Sequence, residues 1–193
     1  MNRCFIIGGG PSVSDLNLNL IKKEYVIALN EAFRFEDIAD LWFFSDSDIF
    51  KNHKKEIDAW PGKIVSCAAA AKPCKKIEYY ERCRVHGLCM EKGKLSFPSM
   101  GANSGATAIN LAIRKGFDEI ILLGYDLKQR EGKNNYHDYY KNEVRADAYI
   151  RFNEAFISMA KDIKLIAPNV KIVNANPDSA LNCFPKMKFL DTL

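Results

Sequence analysis

No apolar run in the sequence approaches the ~20 residues that a membrane-spanning helix requires, so no span is expected. Histidine is scarce, at three among 193 residues. No C-x-x-C pair occurs among the six cysteines, Cys4, Cys67, Cys74, Cys83, Cys89 and Cys183. That pattern argues against a structural zinc site. Cys4 and Cys67 lie inside apolar strand segments, where a free cysteine acts as a small hydrophobe, so reduced thiols in a cytoplasm are the expectation. Neither sign of charge dominates: 28 Lys and Arg stand against 24 Asp and Glu, a net charge of +4. Clusters such as Lys54-Lys55 and Lys75-Lys76 are short and read as solvated surface. The balance suits a ligand that carries phosphates but does not mark a nucleic-acid binder. The stretch Met1–Ile7 runs into glycines too quickly for a signal peptide. Repeats, low-complexity tracts and linkers are also missing, which predicts one domain over residues 1–193.

What the sequence does have is an alternation of apolar runs of strand length with amphipathic stretches of helix length. This predicts an α/β fold, a Rossmann-like open sheet, mostly parallel, with helices on both faces. The expected strands are Cys4–Ile7, Tyr25–Leu29, Leu41–Ser45, Lys63–Cys67, Glu119–Leu123 and Lys171–Asn174. The expected helices are Val13–Lys22, Asp48–Ala59 (stopped by Pro61-Gly62), Asn103–Lys115 and Ala146–Ile163. Residues 68–100 have mixed periodicity and read as an irregular insert, with a short strand at Arg82–His86. The polar stretch at about 127–145 reads as a lid-like loop, because so long a connector in a compact domain usually serves function.

Ligands of open α/β sheets bind where strands end, so the residues after each strand carry the functional information. After the first strand comes Gly8-Gly9-Gly10-Pro11-Ser12. Glycines let a ligand approach the backbone and its amides, and a following helix N-terminus would add positive potential. The loop has Val13 where a dinucleotide fingerprint needs a third glycine, and it lacks the Gly-Lys-Ser/Thr ending of a P-loop. Asn30 after the second strand offers a donor and an acceptor to a sugar or base, or serves a turn. After the third strand, Ser45-Asp46-Ser47-Asp48 suggests two readings: Asp46 and Asp48 as a metal clamp on a diphosphate, or a helix cap. Gly101-Ala102-Asn103-Ser104-Gly105 opens a helix against which a ligand could lie. Asp126, in Gly124-Tyr125-Asp126, is a candidate for orienting a substrate or a base. His137, among Tyr136, Tyr139 and Tyr140, is the candidate general base, whereas His53 reads as exposed in a Lys-rich helix and His86 as lying in a short strand. Asn176-Pro177-Asp178-Ser179 suits either a sharp turn before a closing helix or a ligand loop, with Ser179 a candidate contact.

In order and position, these loops resemble a superfamily that contains archaeal 6-hydroxymethylpterin diphosphokinases, flagellin motility accessory factors and the bacterial sialyltransferases that use CMP-sialic acid. The short members found in bacteriophage and prophage genomes look most similar. The resemblance runs from Ile6–Ser12, through Asn30, Asn103-Ser104-Gly105 and Leu122–Asp126, to Asn176–Ser179, and so spans nearly the whole chain. It implies donor-nucleotide binding by Gly8, Gly10, Pro11, Ser12, Asn30, Ser104 and Gly105, with Gly9 replacing the family's Asn. It also implies a histidine base and assisting tyrosines from the region of Tyr136, His137, Tyr139 and Tyr140. The activity expected is a sialyltransferase-like transfer from a nucleotide-activated sugar, such as a CMP-sugar, to a hydroxyl acceptor. One alternative is a diphosphokinase-like transfer from ATP with Mg²⁺; another is a non-catalytic phage accessory protein that binds a nucleotide. Nucleic-acid partners are not expected, and a homo-oligomer is open.

Overall fold

In a computed structural model the described residues are 2–97, 103–139 and 146–193. Gly101, Ala102 and Tyr140, singled out above, lie outside them.

The main sheet has seven strands, all paired in parallel: β1 (Arg3–Ile7), β2 (Tyr25–Leu29), β3 (Leu41–Phe44), β4 (Lys63–Ser66), β5 (Ile77–Tyr79), β8 (Glu119–Leu123) and β9 (Lys171–Asn174). Its order is β5-β4-β3-β2-β1-β8-β9. Two short strands, β6 (Glu81–Cys83) and β7 (Lys94–Ser96), pair separately, also in parallel. Buried runs of β-branched and aromatic residues account for the central strands. Phe5, Ile6 and Ile7 are wholly buried, as are Leu41, Trp42, Phe43 and Phe44, because both sheet faces are covered.

One face packs on α3 (Ser104–Arg114) and α4 (Ala146–Ile166), through Ile6, Ile27, Phe43 and Leu122 against Ile109, Ala112, Phe156 and Met159. The other face, with Phe5, Ile7, Trp42 and Phe44, is covered by α1 (Ser47–Asn52), α2 (Lys54–Ala59) and short 3₁₀ turns. Eight consecutive residues of α3, Ala106 to Ile113, are buried, and Gly116 at φ 87° ends the helix in a conformation that suits glycine. No helix of the described residues is long and apolar enough to cross a membrane.

The six expected strands form, while several other expectations need correction. The helix expected at Val13–Lys22 is two 3₁₀ turns, Pro11–Asp15 and Leu18–Ile21. The single helix expected at Asp48–Ala59 is broken at His53, whose backbone (φ −119°, ψ 40°) leaves the helical region. That break directs the imidazole inward, where Nε2 lies 2.7 Å from Oε1 of the fully buried Glu31. His53 is therefore buried rather than exposed. The strand expected at Arg82–His86 ends at Cys83, leaving His86 outside it, and the 68–100 insert is more regular than its composition suggests, since it contains β5, β6 and β7. No α-helix follows Asn176–Ser179; the chain ends in a 3₁₀ turn, Phe189–Thr192.

Candidate functional site

From β1 the chain builds outward through β2 to β5, then returns to set β8 on the other side of β1. The gap between β1 and β8 is thus the topological switch point, where two crossover connections diverge and leave a crevice at the strand ends. A cleft of about 160 Å³ lies there, lined by Gly8, Gly9, Gly10, Asn103, Gly105 and Asp126, with Lys128 also on its wall. Tyr149, Phe152 and Phe156 of α4 supply an apolar side. The structure therefore brings together in one cleft residues that stand far apart in sequence.

The glycine loop is built differently from the sequence expectation. The amides of Gly8 and Gly10 donate to the Leu123 and Gly124 carbonyls at 2.7 and 2.9 Å, extending the β1–β8 ladder. Neither amide is turned to a ligand. The loop leads into a five-residue 3₁₀ turn beginning at Pro11, too short to carry a helix dipole. Ser12 is committed to Asp126: its hydroxyl donates to Oδ2 at 2.8 Å and its amide to Oδ1 at 3.3 Å. Asn176 Nδ2 also donates to Asp126 Oδ1, at 2.9 Å. A Cβ on Gly10 would overlap the Asp126 carboxylate, so this glycine is required by close approach. Burial raises the Asp126 pKa, and the Ser12 hydrogen bonds partly oppose that shift.

The true helix end at the cleft is that of α3. Asn103 caps it by accepting from Ala106 N–H at 3.1 Å, and its Nδ2 donates to the Phe152 carbonyl of α4 at 3.1 Å. Ser104 Oγ contacts Ser45 Oγ, joining the α3 end to the β3 end. Asn30, at φ 51°, gives its carbonyl to Trp42 Nε1 at 2.8 Å, and its Oδ1 is buried with no hydrogen-bond partner among the described residues. Asp46 caps α1 by accepting from Asp48 N–H at 2.8 Å, while Asp48 is an exposed partner of Lys51. Ser179 is buried; its hydroxyl donates to the Tyr125 carbonyl at 2.6 Å and accepts from Leu181 N–H at 2.9 Å.

The segment after β8 folds over the glycine loop. Tyr136 N–H donates to the Gly9 carbonyl at 3.1 Å, and the Tyr136 ring lies 5.5 Å from Phe35 and 4.8 Å from the His137 ring. The Tyr136 hydroxyl is buried with no hydrogen-bond partner among the described residues, and burial raises its pKa. Asn52 Nδ2 donates to the Tyr139 hydroxyl at 2.8 Å, so the segment is also tied to α1. His137 Nε2 faces Gly9, and Nδ1 accepts the Tyr139 N–H at 3.3 Å, which puts the proton of the neutral ring on Nε2. Burial lowers the His137 pKa, which keeps the ring neutral near pH 7.

Sequence reasoning missed several residues of this arrangement. Tyr125 underlies the glycine loop and donates from its hydroxyl to the Gly105 carbonyl at 3.2 Å. Asn134 accepts from the Tyr149 hydroxyl at 2.9 Å, linking the overlying segment to α4. Arg82 of β6 donates to the Ser45 and Cys67 carbonyls at 2.6 and 2.8 Å, reaching the ends of β3 and β4. Only Tyr125 carried a usable signal, its place inside Gly124-Tyr125-Asp126; the rest depend on contacts distant in sequence.

No protein-family model and no curated protein matches the sequence. Among solved structures, the chain is similar to the sialyltransferase CstII of Campylobacter jejuni, described in complex with a substrate analogue, cytidine 5′-monophosphate. The two share 15% identity with a TM-score of 0.54, over 96% of this chain and 84% of that one. At that identity the likeness is one of fold alone, the open α/β sheet described above.

Proposed function

We propose that residues 1–193 form a single nucleotide-binding unit that transfers a group, most concretely a sugar, from a nucleotide-activated donor to a hydroxyl acceptor. The observation that carries this reading is the cleft at the β1–β8 switch point, flanked by the glycine loop, the α3 N-terminus and Lys128. The resemblance of the strand-end loops to CMP-sialic-acid sialyltransferases and the likeness in fold to one of them support it independently.

In this reading the α3 N-terminus, the Gly9 backbone and Lys128 hold the donor phosphate, with Asn30, Ser45, Ser104 and Gly105 along the nucleotide. Gly8, Gly10, Pro11, Ser12 and Ser179 act by shaping the loop that the nucleotide touches. Asp126 holds that loop through Ser12 rather than meeting substrate. The acceptor oxygen attacks the sugar carbon as its bond to the donor phosphate oxygen breaks, and His137 takes the acceptor proton. Accepting at Nε2 requires the ring to carry its hydrogen on Nδ1, so the Tyr139 N–H bond is released when acceptor binds. Tyr136, whose hydroxyl is buried and lacks a partner among the described residues, assists the departing phosphate. No arrangement of Asp46 and Asp48 favours the ATP and Mg²⁺ alternative, since one caps a helix and the other pairs with Lys51.

Calorimetry with CMP, CMP-, UDP- and GDP-sugars and ATP tests this. Binding of a cytidine nucleotide is expected to be unchanged by a chelator and about tenfold weaker in Lys128→Ala, the loss of one charge-assisted contact. No binding by any of these nucleotides overturns the proposal, and binding of ATP alone, restored by magnesium, replaces it with the diphosphokinase reading.

A further inference from the structure

Away from the cleft, the fold gathers three ligand atoms that sequence spacing had kept apart. The Sγ atoms of Cys83 and Cys89 and a carboxylate oxygen of Glu91 all lie within 4.8 Å of one another, with Cys83 Sγ 3.6 Å from Glu91 Oε1. We propose that Cys83, Cys89 and Glu91 form a binding site for a divalent thiophilic metal ion of the zinc class.

The donors are held in place from several directions. Cys83 ends β6, and its carbonyl accepts from Phe97 N–H at 2.7 Å and Val85 N–H at 2.8 Å. The loop that brings Cys89 and Glu91 back is anchored on α3, where Asn110 donates to the Cys89 carbonyl at 3.1 Å and Arg114, one turn later, donates to the Glu91 carbonyl. Asp162 of α4 accepts from Leu88 N–H at 2.9 Å, next to Cys89. Lys94 Nζ holds Glu91 Oε2 at 2.6 Å, which leaves Oε1 turned to the cysteines. These are the kind of outer contacts that orient metal ligands.

Charge and ligand type select the ion. Two thiolates and one carboxylate, set against a divalent cation and the Lys94 ammonium, leave the cluster neutral. A monovalent ion such as Cu(I) would leave it anionic. Sulfur donors favour zinc-class ions over Mg²⁺ and Ca²⁺, and a set of two sulfurs and one oxygen fits a tetrahedral ion whose fourth position is open to water. Because thiols bind such an ion as thiolates, metal entry displaces protons, and uptake tightens as pH rises.

The test is titration of the fully reduced protein with Zn²⁺, and with Cd²⁺ as a spectroscopic stand-in whose thiolate charge-transfer band reports sulfur ligation. Equimolar uptake is expected, lost in Cys83→Ser and in Cys89→Ser and retained in Cys74→Ser and Cys183→Ser. Glu91→Gln, at an exposed position that leaves the core untouched, is expected to weaken uptake about tenfold. It keeps the test decisive should Cys89→Ser, at a buried position, fail to fold. Absence of equimolar uptake, or uptake that survives both Cys83→Ser and Glu91→Gln, overturns the site. So does a reduced protein that takes up no ion but forms an intramolecular Cys83–Cys89 disulfide with diamide, which makes the pair a redox couple instead.

Discussion

At the scale of single residues, the cleft depends on side chains committed to backbone and to one another. Asp126 is acidic, buried and at the cleft, the features of a catalytic group, yet its oxygens are engaged by Ser12 and Asn176. Gly10 is glycine because that carboxylate fills the space a Cβ would need. His137 differs, since its titration sits on the segment that closes over Gly9. Its folded-state pKa is lowered from the ordinary 6.5, so the folded form binds its proton less readily than the unfolded chain does. The stability it contributes is full above pH 6.5 and is lost as the pH falls through that value toward the lowered one. Thermal midpoints measured across this range are expected to fall more steeply toward acid in the native protein than in His137→Gln. Equal slopes would show that the ring is not buried against the glycine loop.

At the scale of elements, α3 is the hinge of the architecture. Its buried polar residues serve neighbours on the same face: Thr107 donates to the Ser96 carbonyl at 2.8 Å, and Asn110 accepts from Ser96 N–H at 2.7 Å. The helix therefore carries the β6–β7 unit on its side and presents its N-terminus to the cleft. Asn103 joins it to α4 while capping it. Asn103→Ala is expected to cost about 2 kcal/mol, a cap plus one buried hydrogen bond, and to lower Tm by roughly 4–8 °C. Asn103→Ser, which caps but is too short to reach Phe152, should lose about half of that. Calorimetric unfolding of the variants separates the two contributions.

At the scale of the whole molecule, the strand order puts the glycine loop, the α3 N-terminus and the closing segment around one crevice, so a ligand there should couple all of them. A cytidine nucleotide at a hundred times its Kd is expected to raise stability by about 2.7 kcal/mol, roughly 5–11 °C in Tm, and no shift would mean that the crevice binds no such ligand. Much of the fold was legible in the chain, because strands buried on both faces leave continuous apolar runs such as Leu41–Phe44, and Gly116 marks the end of α3. The strand-end loops were legible for the same reason, as small and polar residues interrupt those runs at fixed places. Less could be read where local pattern and distant contact disagree. His53 sits among lysines yet turns inward because Glu31, on another element, is buried beside it. Ser12 and Ser179 look like ligand contacts and are instead engaged by Asp126 and the Tyr125 carbonyl. Cys83 and Cys89 lack a metal-site spacing and still meet, because α3 and α4 hold the loop between them. Hydrophobic periodicity is a local property, and by itself it determined the strands, the long helices and the loops at their ends. Only the tertiary structure decided which polar groups those loops consume internally and which they leave for a ligand, because that choice rests on contacts between residues far apart along the chain.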